Sequence, residues 1–307
     1  MGIQNVQELR SSIQKRKLWD YVFVVLAIFS LFLGFAILLA LVAQLFIQGG
    51  AKLSWDFFTS PPDPRPENAG ILVAVVGTAT IMIVTICLAV PIGIASGIYL
   101  QEYAKKGWIS DIIEVNVSNL AGVPSIVYGL LALGIFKQQL QLGESIITAS
   151  LTLSLLILPV IIVTTREALK SIPQSLREGA YGIGTSRWQM IWDHVLPAAA
   201  GGVLTGIIVA LSRAIGEAAP LITIGALTFI TSLPDSPITG EFPYFSFSWL
   251  LSDFTVLPIQ MFDWVSRPQP AFQLNAGAAG VVLVILTIVM NGSAIYLRVF
   301  FRNRIKW

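Results

Sequence analysis

Charge is scarce in this chain. Asp, Glu, Lys and Arg make up 12% of its 307 residues, against about 25% in an ordinary soluble domain. Cysteine and histidine occur once each, as Cys87 and His194. A lone cysteine excludes a disulfide within the chain. Cys87 lies in an apolar run, where a small core residue is the expected role. No Gly-Lys-Ser or Gly-Lys-Thr occurs, so the chain has no P-loop to hold ATP phosphates. No metal, redox or protease constellation is visible, and a net charge of +2 gives no reason to expect nucleic acid as a partner.

What the chain has in excess is apolar sequence. Hydrophobic residues reach 55% and mean hydropathy is +0.77. Several runs exceed the ~18 residues that mark a membrane-crossing helix. An all-α integral membrane protein is expected, with residues 1–307 forming one transmembrane domain in contact with lipid. Six spans are expected: Leu18–Ile47, Gly70–Leu100, Ile112–Phe136, Ile146–Thr165, Ala198–Phe229 and Ala276–Phe301. Lys15, Arg16 and Lys17 precede the first run, which continues to Ile47 without a small-residue cleavage site. It therefore reads as an anchor rather than a signal peptide. Pro91, Gly93 and Gly97 predict a kink in the second span.

Basic residues set the orientation. With the N-terminus in the cytoplasm, fourteen of the 19 Lys and Arg residues fall in inside segments. Lys52, Arg65, Lys137 and Arg267 fall outside, and Arg213 lies within a span. Both termini are then cytoplasmic, the loops at 48–69 and 230–275 external, and the polar segment 166–197 cytoplasmic. The second external loop is rich in aromatics: Phe242, Tyr244, Phe245, Phe247, Trp249, Phe254, Phe262 and Trp264. A short surface helix around Ser248–Val265 is expected there.

Within the cytoplasmic segment, Ser171 to Pro197 has the grammar of two short helices. Ser171 with Gln174, and Ser186 with Gln189, each fit a capping box. Gly182 and Gly184 offer a stop. Leu176, Tyr181 and Ile183 offer apolar contacts, while Arg177 and Glu178 offer charge. Gly179, Ala180 and Gly184 let another surface approach closely. A docking helix and an ordinary capped connector both fit these residues.

Arg213 and Glu217 stand four apart, on one face of the fifth span. A charge inside the membrane costs at least ~2.5–3.5 kcal/mol and should face a partner or a wet pathway. The pair can neutralise itself when no ligand is present. An oxyanion can compete for the guanidinium, whose planar fork matches phosphate oxygens. The carboxylate can accept a hydrogen bond from a protonated phosphate, which a fully ionised sulfate cannot donate. A static pair joining helices is the alternative. Ser212, Thr223 and Thr228 add polar groups nearby, and Asn116, Ser118 and Asn119 are expected to bond across helices.

Glu178-Gly179-Ala180, then Gly184, then Leu196-Pro197 resembles the EAA loop of ABC importer permeases. The spacing fits at every fixed position, with Gly179 in place of the middle Ala and His194 in place of an aliphatic residue. RAIGEAAPLITIGA from Arg213, LAGVPSIVYGLLALGIF from Leu120 and FTVLPIQMFDWVSRPQPAFQ from Phe254 resemble the A-type permeases of bacterial phosphate-specific (Pst) ABC transporters. The resemblance implies a type I importer fold in the bacterial inner membrane and phosphate import by alternating access. It implies a phosphate path through Arg213 and Glu217, and ATPase coupling through Arg177, Glu178, Gly179, Ala180, Gly184, Leu196 and Pro197. It further implies a C permease, an ATPase dimer that binds ATP and Mg, and an extracytoplasmic phosphate-binding protein. No catalytic site or bound cofactor is expected in this chain. A permease for another oxyanion, or an ion-gradient-driven anion transporter, remains the alternative.

Overall fold

The computed structural model describes residues 3–304, except 106, 227, 228, 239–243 and 245. Among the described residues the chain is mainly helical, with an isolated backbone bridge between Ser145 and Asp253. The long helices are α1 (Ile3–Gly49), α3 (Leu72–Ile98), α6 (Ile146–Lys170), α9 (Leu196–Ile215) and α12 (Ala271–Arg304). Shorter ones are α2 (Trp55–Thr59), α4 (Trp108–Ala121), α5 (Ser125–Ala132), α7 (Gln174–Gly182), α8 (Arg187–Gln189), α10 (Ala219–Thr223) and α11 (Leu257–Ser266). A π-turn at Tyr99–Tyr103 extends α3, another at Leu133–Gln139 extends α5, and a third at Met190–Val195 joins α8 to α9.

Among the described residues, five segments are long and apolar enough to span a membrane, and a sixth forms if α4 and α5 count together. That sixth departs from the straight span expected at Ile112–Phe136, because α4 and α5 meet at 103°. The cause is Gly122-Val123-Pro124. A residue before proline is pushed out of the α region, and Pro124 instead caps α5 at φ −55°, ψ 135°. The fifth span is also shifted. Its apolar helix runs over Arg187–Ile215, not Ala198–Phe229, and stops at Gly216-Glu217-Ala218 before α10. Pro220, with no N–H to donate, sits in the first turn of α10. α3 carries Pro91 inside an unbroken helix.

The core is the α3–α6 pair with α9 laid against α6. The backbones approach closely because Gly93 has no side chain: a Cβ there would lie 2.6 Å from Ile161 Cγ2. A second cluster sits at the end bearing α2 and α11, around Phe57, Leu257, Trp264 and Phe272, and anchors the start of α12. The aromatic loop therefore splits. Phe254 and Trp264 are buried while Tyr244, Phe247 and Phe262 are exposed. Phe242 and Phe245 lie outside the described residues. The expected surface helix is a short turn at Ser248–Leu251 followed by α11. Cys87 is exposed on α3, so the expected core role is corrected: it falls in register with exposed Ile83, one turn earlier on the outward stripe.

Candidate functional site

Two helix breaks face each other. α9 ends at Ile215, which puts Arg213 in its last turn and Glu217 just past its end. The pair holds, with Arg213 Nε 3.6 Å from Glu217 Oε1, but it joins a helix to its break rather than two turns of one helix. Arg213 Nη1 also donates to the Ala121 carbonyl at 3.4 Å. Ala121 is the last residue of α4, where carbonyls lack helical partners and the helix dipole is negative. The neighbouring Leu120 carbonyl accepts from the Tyr128 hydroxyl at 2.7 Å. Each break thus supplies a group to the same spot: a cation from one, the helix-end carbonyl of Ala121 from the other.

α5 is held against α10 by absence. A Cβ on Gly129 would collide with Thr223 Oγ1 and would lie 2.7 Å from Pro220 Cα. At the far end of this unit, Lys137 Nζ contacts Glu144 Oε1 at 2.5 Å and donates to the Ile224 carbonyl at 3.3 Å. The two broken segments therefore form one packed body. Irregular backbone at membrane depth requires such burial in protein, or a wet cavity.

The arginine is not saturated. A guanidinium carries five N–H donors, and 3.6 Å to Glu217 is an ion pair rather than a hydrogen bond. The Arg213 and Glu217 side chains are 35% and 21% exposed. A cavity of about 10 Å³ lies beside Glu217, lined by Thr78, Ile81 and Met82 of α3, Leu153 of α6, and Ala214 and Leu221. That is room for about one water.

The residues of the 166–197 loop separate into two sets. Glu178, Gly179 and Gly184 are exposed, with Tyr181 and Ile183 beside them. Leu196 and Pro197 open α9 and are half-buried, and Ala180 is buried. Arg177 corrects the expectation of surface charge: it is buried and turned inward onto Glu102, because its guanidinium also finds the carbonyls of Leu169 and Ile172. Ser171 does not cap α7 either. Its Oγ donates back to Ala168, and Pro173 takes the capping position. The second capping box, Ser186 with Gln189, is formed in full. Gly184 turns the chain after α7 at φ +83°.

Among the other polar groups, Ser212 Oγ contacts Asn291 Oδ1 on α12 at 2.8 Å. Asn116 Nδ2 bonds within its own helix, to the Ile112 carbonyl, instead of across helices. Thr228 lies outside the described residues. Sequence reasoning missed Glu102, Ala121, Tyr128 and Asn291. Only Glu102 carried a signal, as a carboxylate at the end of an apolar run.

These features define a class: a multi-pass helical membrane protein in which broken helices bring a charged pair together below a helical loop. Residues 89–307 match the binding-protein-dependent transport system inner membrane component, and the chain belongs to that family. It is an ABC importer permease subunit, a multi-pass protein of the inner membrane. The chain is 30% identical over 295 residues to the phosphate transport system permease protein PstA of Yersinia pestis, covering 94% of each chain. It is 30% identical over 265 residues to the probable ABC transporter permease protein YqgI of Bacillus subtilis, covering 85% of this chain and 89% of that one. Its fold is similar to a chain in the crystal structure of a bacterial alginate ABC transporter bound to a pentasaccharide-loaded periplasmic protein. There the TM-score is 0.62 at 16% identity, with 94% of this chain and 96% of that chain covered.

Proposed function

We propose that this permease subunit moves inorganic phosphate into the cytoplasm by alternating access. The observation that carries the reading is the under-coordinated Arg213 guanidinium at the junction of two helix breaks. A preformed cation whose only charged partner among the described residues is 3.6 Å away can exchange that partner for a phosphate oxygen at small cost. Its planar fork suits two oxygens at once. Glu217 then accepts a hydrogen bond from the hydroxyl of a protonated phosphate, which favours phosphate over fully ionised sulfate. The similarity to PstA of Yersinia pestis supports the same substrate.

A space of about 10 Å³ beside Glu217 is far below what a phosphate needs. The facing wall of the path is therefore assigned to a second, related permease subunit, against which the exposed edge of Arg213 turns. Phosphate arrives from an extracytoplasmic binding protein. α7 presents Glu178, Gly179, Tyr181 and Ile183 to a cytosolic ATPase dimer, which binds ATP and Mg. This chain itself does no covalent chemistry. The termini and the α7 end face the cytoplasm, as the basic residues require.

Radiolabelled phosphate uptake tests the reading, in cells lacking their own phosphate importers and supplied with this chain and its partner subunits. ATP-dependent uptake that disappears in Arg213→Ala, with the complex still assembled, supports it. Normal uptake in that variant removes the mechanism. An assembled wild-type complex that takes up molybdate or sulfate but no phosphate replaces the substrate with another oxyanion.

A further inference from the structure

The proposed phosphate path leaves the most deeply buried Arg–Glu pair among the described residues, Arg177–Glu102, without a task. The Arg177 and Glu102 side chains are 10% and 6% exposed, with Nη2 2.8 Å from Oε1 and Nε 3.4 Å from Oε2. The same guanidinium donates to the Ile172 carbonyl through Nη1 and to the Leu169 carbonyl through Nη2, both at 2.8 Å. One side chain of α7 thus reaches the terminal π-turn of α3, the last turn of α6 and the link that follows it.

A buried pair of this kind is a poor stability device, because well-packed apolar residues often do as well. What it supplies is fixed geometry, since a bidentate fork accepts its carboxylate in one plane. The backbone already ties α7 to α6 through residues 171–173 and to α9 through α8. Nothing in the backbone ties α7 to α3. The ion pair does, and it meets α3 on a π-turn (Tyr99–Tyr103), a feature frequent at functional positions.

From Glu102, α3 runs without a break to Leu72, while α4–α5 and α9–α10 are both interrupted. Thr78, Ile81 and Met82 near its other end form the wall of the cavity beside Glu217. The helix between Glu102 and Thr78 is about 36 Å long at ~1.5 Å per residue. We propose that Arg177 and Glu102 form the link through which displacement of α7 is passed along α3 to the wall of the Arg213–Glu217 site. Both are positioning residues, acting through helices rather than on the solute. The inference rests on the reading of α7 as the ATPase-docking helix.

The test measures phosphate taken up per ATP hydrolysed by the whole complex in proteoliposomes. Glu102→Gln keeps the shape and removes the charge. ATP hydrolysis is expected to persist while uptake per ATP falls by roughly 5- to 150-fold, the span of typical coupling energies. A second construction keeps the outcome interpretable. Glu102→Cys with Arg177→Cys, in a Cys87→Ala background, is bridged by a short bifunctional thiol reagent. A cavity of about 640 Å³ bordered by both residues admits the reagent. Bridging should restore the coupling that the unbridged pair has lost, which a merely structural role does not predict. Wild-type coupling in Glu102→Gln overturns the link, as does an assembled, bridged complex that stays uncoupled. If Glu102→Gln fails to assemble, the bridged pair decides alone. Absence of ATP-driven phosphate uptake by the wild-type complex is a separate result, which overturns the phosphate reading before any variant is compared.

Discussion

Two of the Arg–Glu pairs among the described residues are opposites. Arg177–Glu102 is locked: 2.8 Å apart, almost wholly buried, with two backbone carbonyls completing the guanidinium. Arg213–Glu217 is open: 3.6 Å apart, one-third exposed on the arginine, with one carbonyl at 3.4 Å. The locked pair joins residues 75 apart in the chain and the open pair residues four apart. Satisfaction suits a part that transmits movement. Under-coordination suits a part that must receive an anion.

The largest expected difference lies in stability. Glu102→Ala strands a buried guanidinium, at a cost of ~3–5 kcal/mol. Glu217→Ala removes a looser partner, 3.6 Å away, from a guanidinium that is 35% exposed in this chain, so a smaller loss than for Glu102→Ala is expected. Chemical denaturation of the two variants in mixed micelles, beside wild type, checks the contrast. Equal losses would break it and make both pairs structural.

Transport should invert that order at the open pair. Arg213→Lys keeps the charge and loses the fork. Uptake is expected to fall at least ~30-fold, in line with ~2–5 kcal/mol for spoiling one partner of a charged, hydrogen-bonded contact. Unfolding should barely move. Uptake by Arg213→Lys at the wild-type level would mean that a point charge suffices and the planar geometry is irrelevant.

The sequence makes one pair visible and hides the other for a physical reason. Arg213 and Glu217 announce themselves because a short-range rule places them together and an apolar run makes them conspicuous. Arg177 looks like a surface charge because α7 is polar and its partner lies on another helix. Glu102 is marked only as a carboxylate at the end of an apolar run, and no local rule pairs it with Arg177. The spans are legible from apolar length alone, yet the 103° bend between α4 and α5 is not. Gly122 and Pro124 mark a break, but the angle is set by packing against α10. The shifted end of the fifth span has the same origin: apolar residues continue to Phe229, while Gly216 and Pro220 end the helix. Ala121 contributes a backbone carbonyl, which no side-chain pattern reveals.

The packing that holds the open pair in place offers a finer test. Gly129→Ala adds one methyl where Thr223 and Pro220 already sit. Overpacking of this sort costs ~1–3 kcal/mol, and α10 should shift, carrying the Glu217 break with it. Reduced phosphate uptake with unchanged ATP hydrolysis is expected. Uptake equal to wild type would show that the α5–α10 contact does not position the pair.

The smallest effect concerns the frame of the locked pair. Ser186 accepts from the Gln189 N–H at 3.3 Å while the Gln189 side chain reaches back to the Ser186 N–H at 2.9 Å. Ser186→Ala should therefore cost ~1 kcal/mol. Ser171, exposed and with its side chain donating to the Ala168 carbonyl of its own helix end, should be replaceable by alanine with no measurable loss in the same denaturation series. Neither change should alter phosphate moved per ATP, because Arg177 fixes α7 through its own three contacts. If Ser186→Ala did lower that ratio, α7 would owe its position to the helix that follows it as much as to Glu102. The contrast between a locked and an open pair would then extend to the whole loop, with Arg177 as one of several ties.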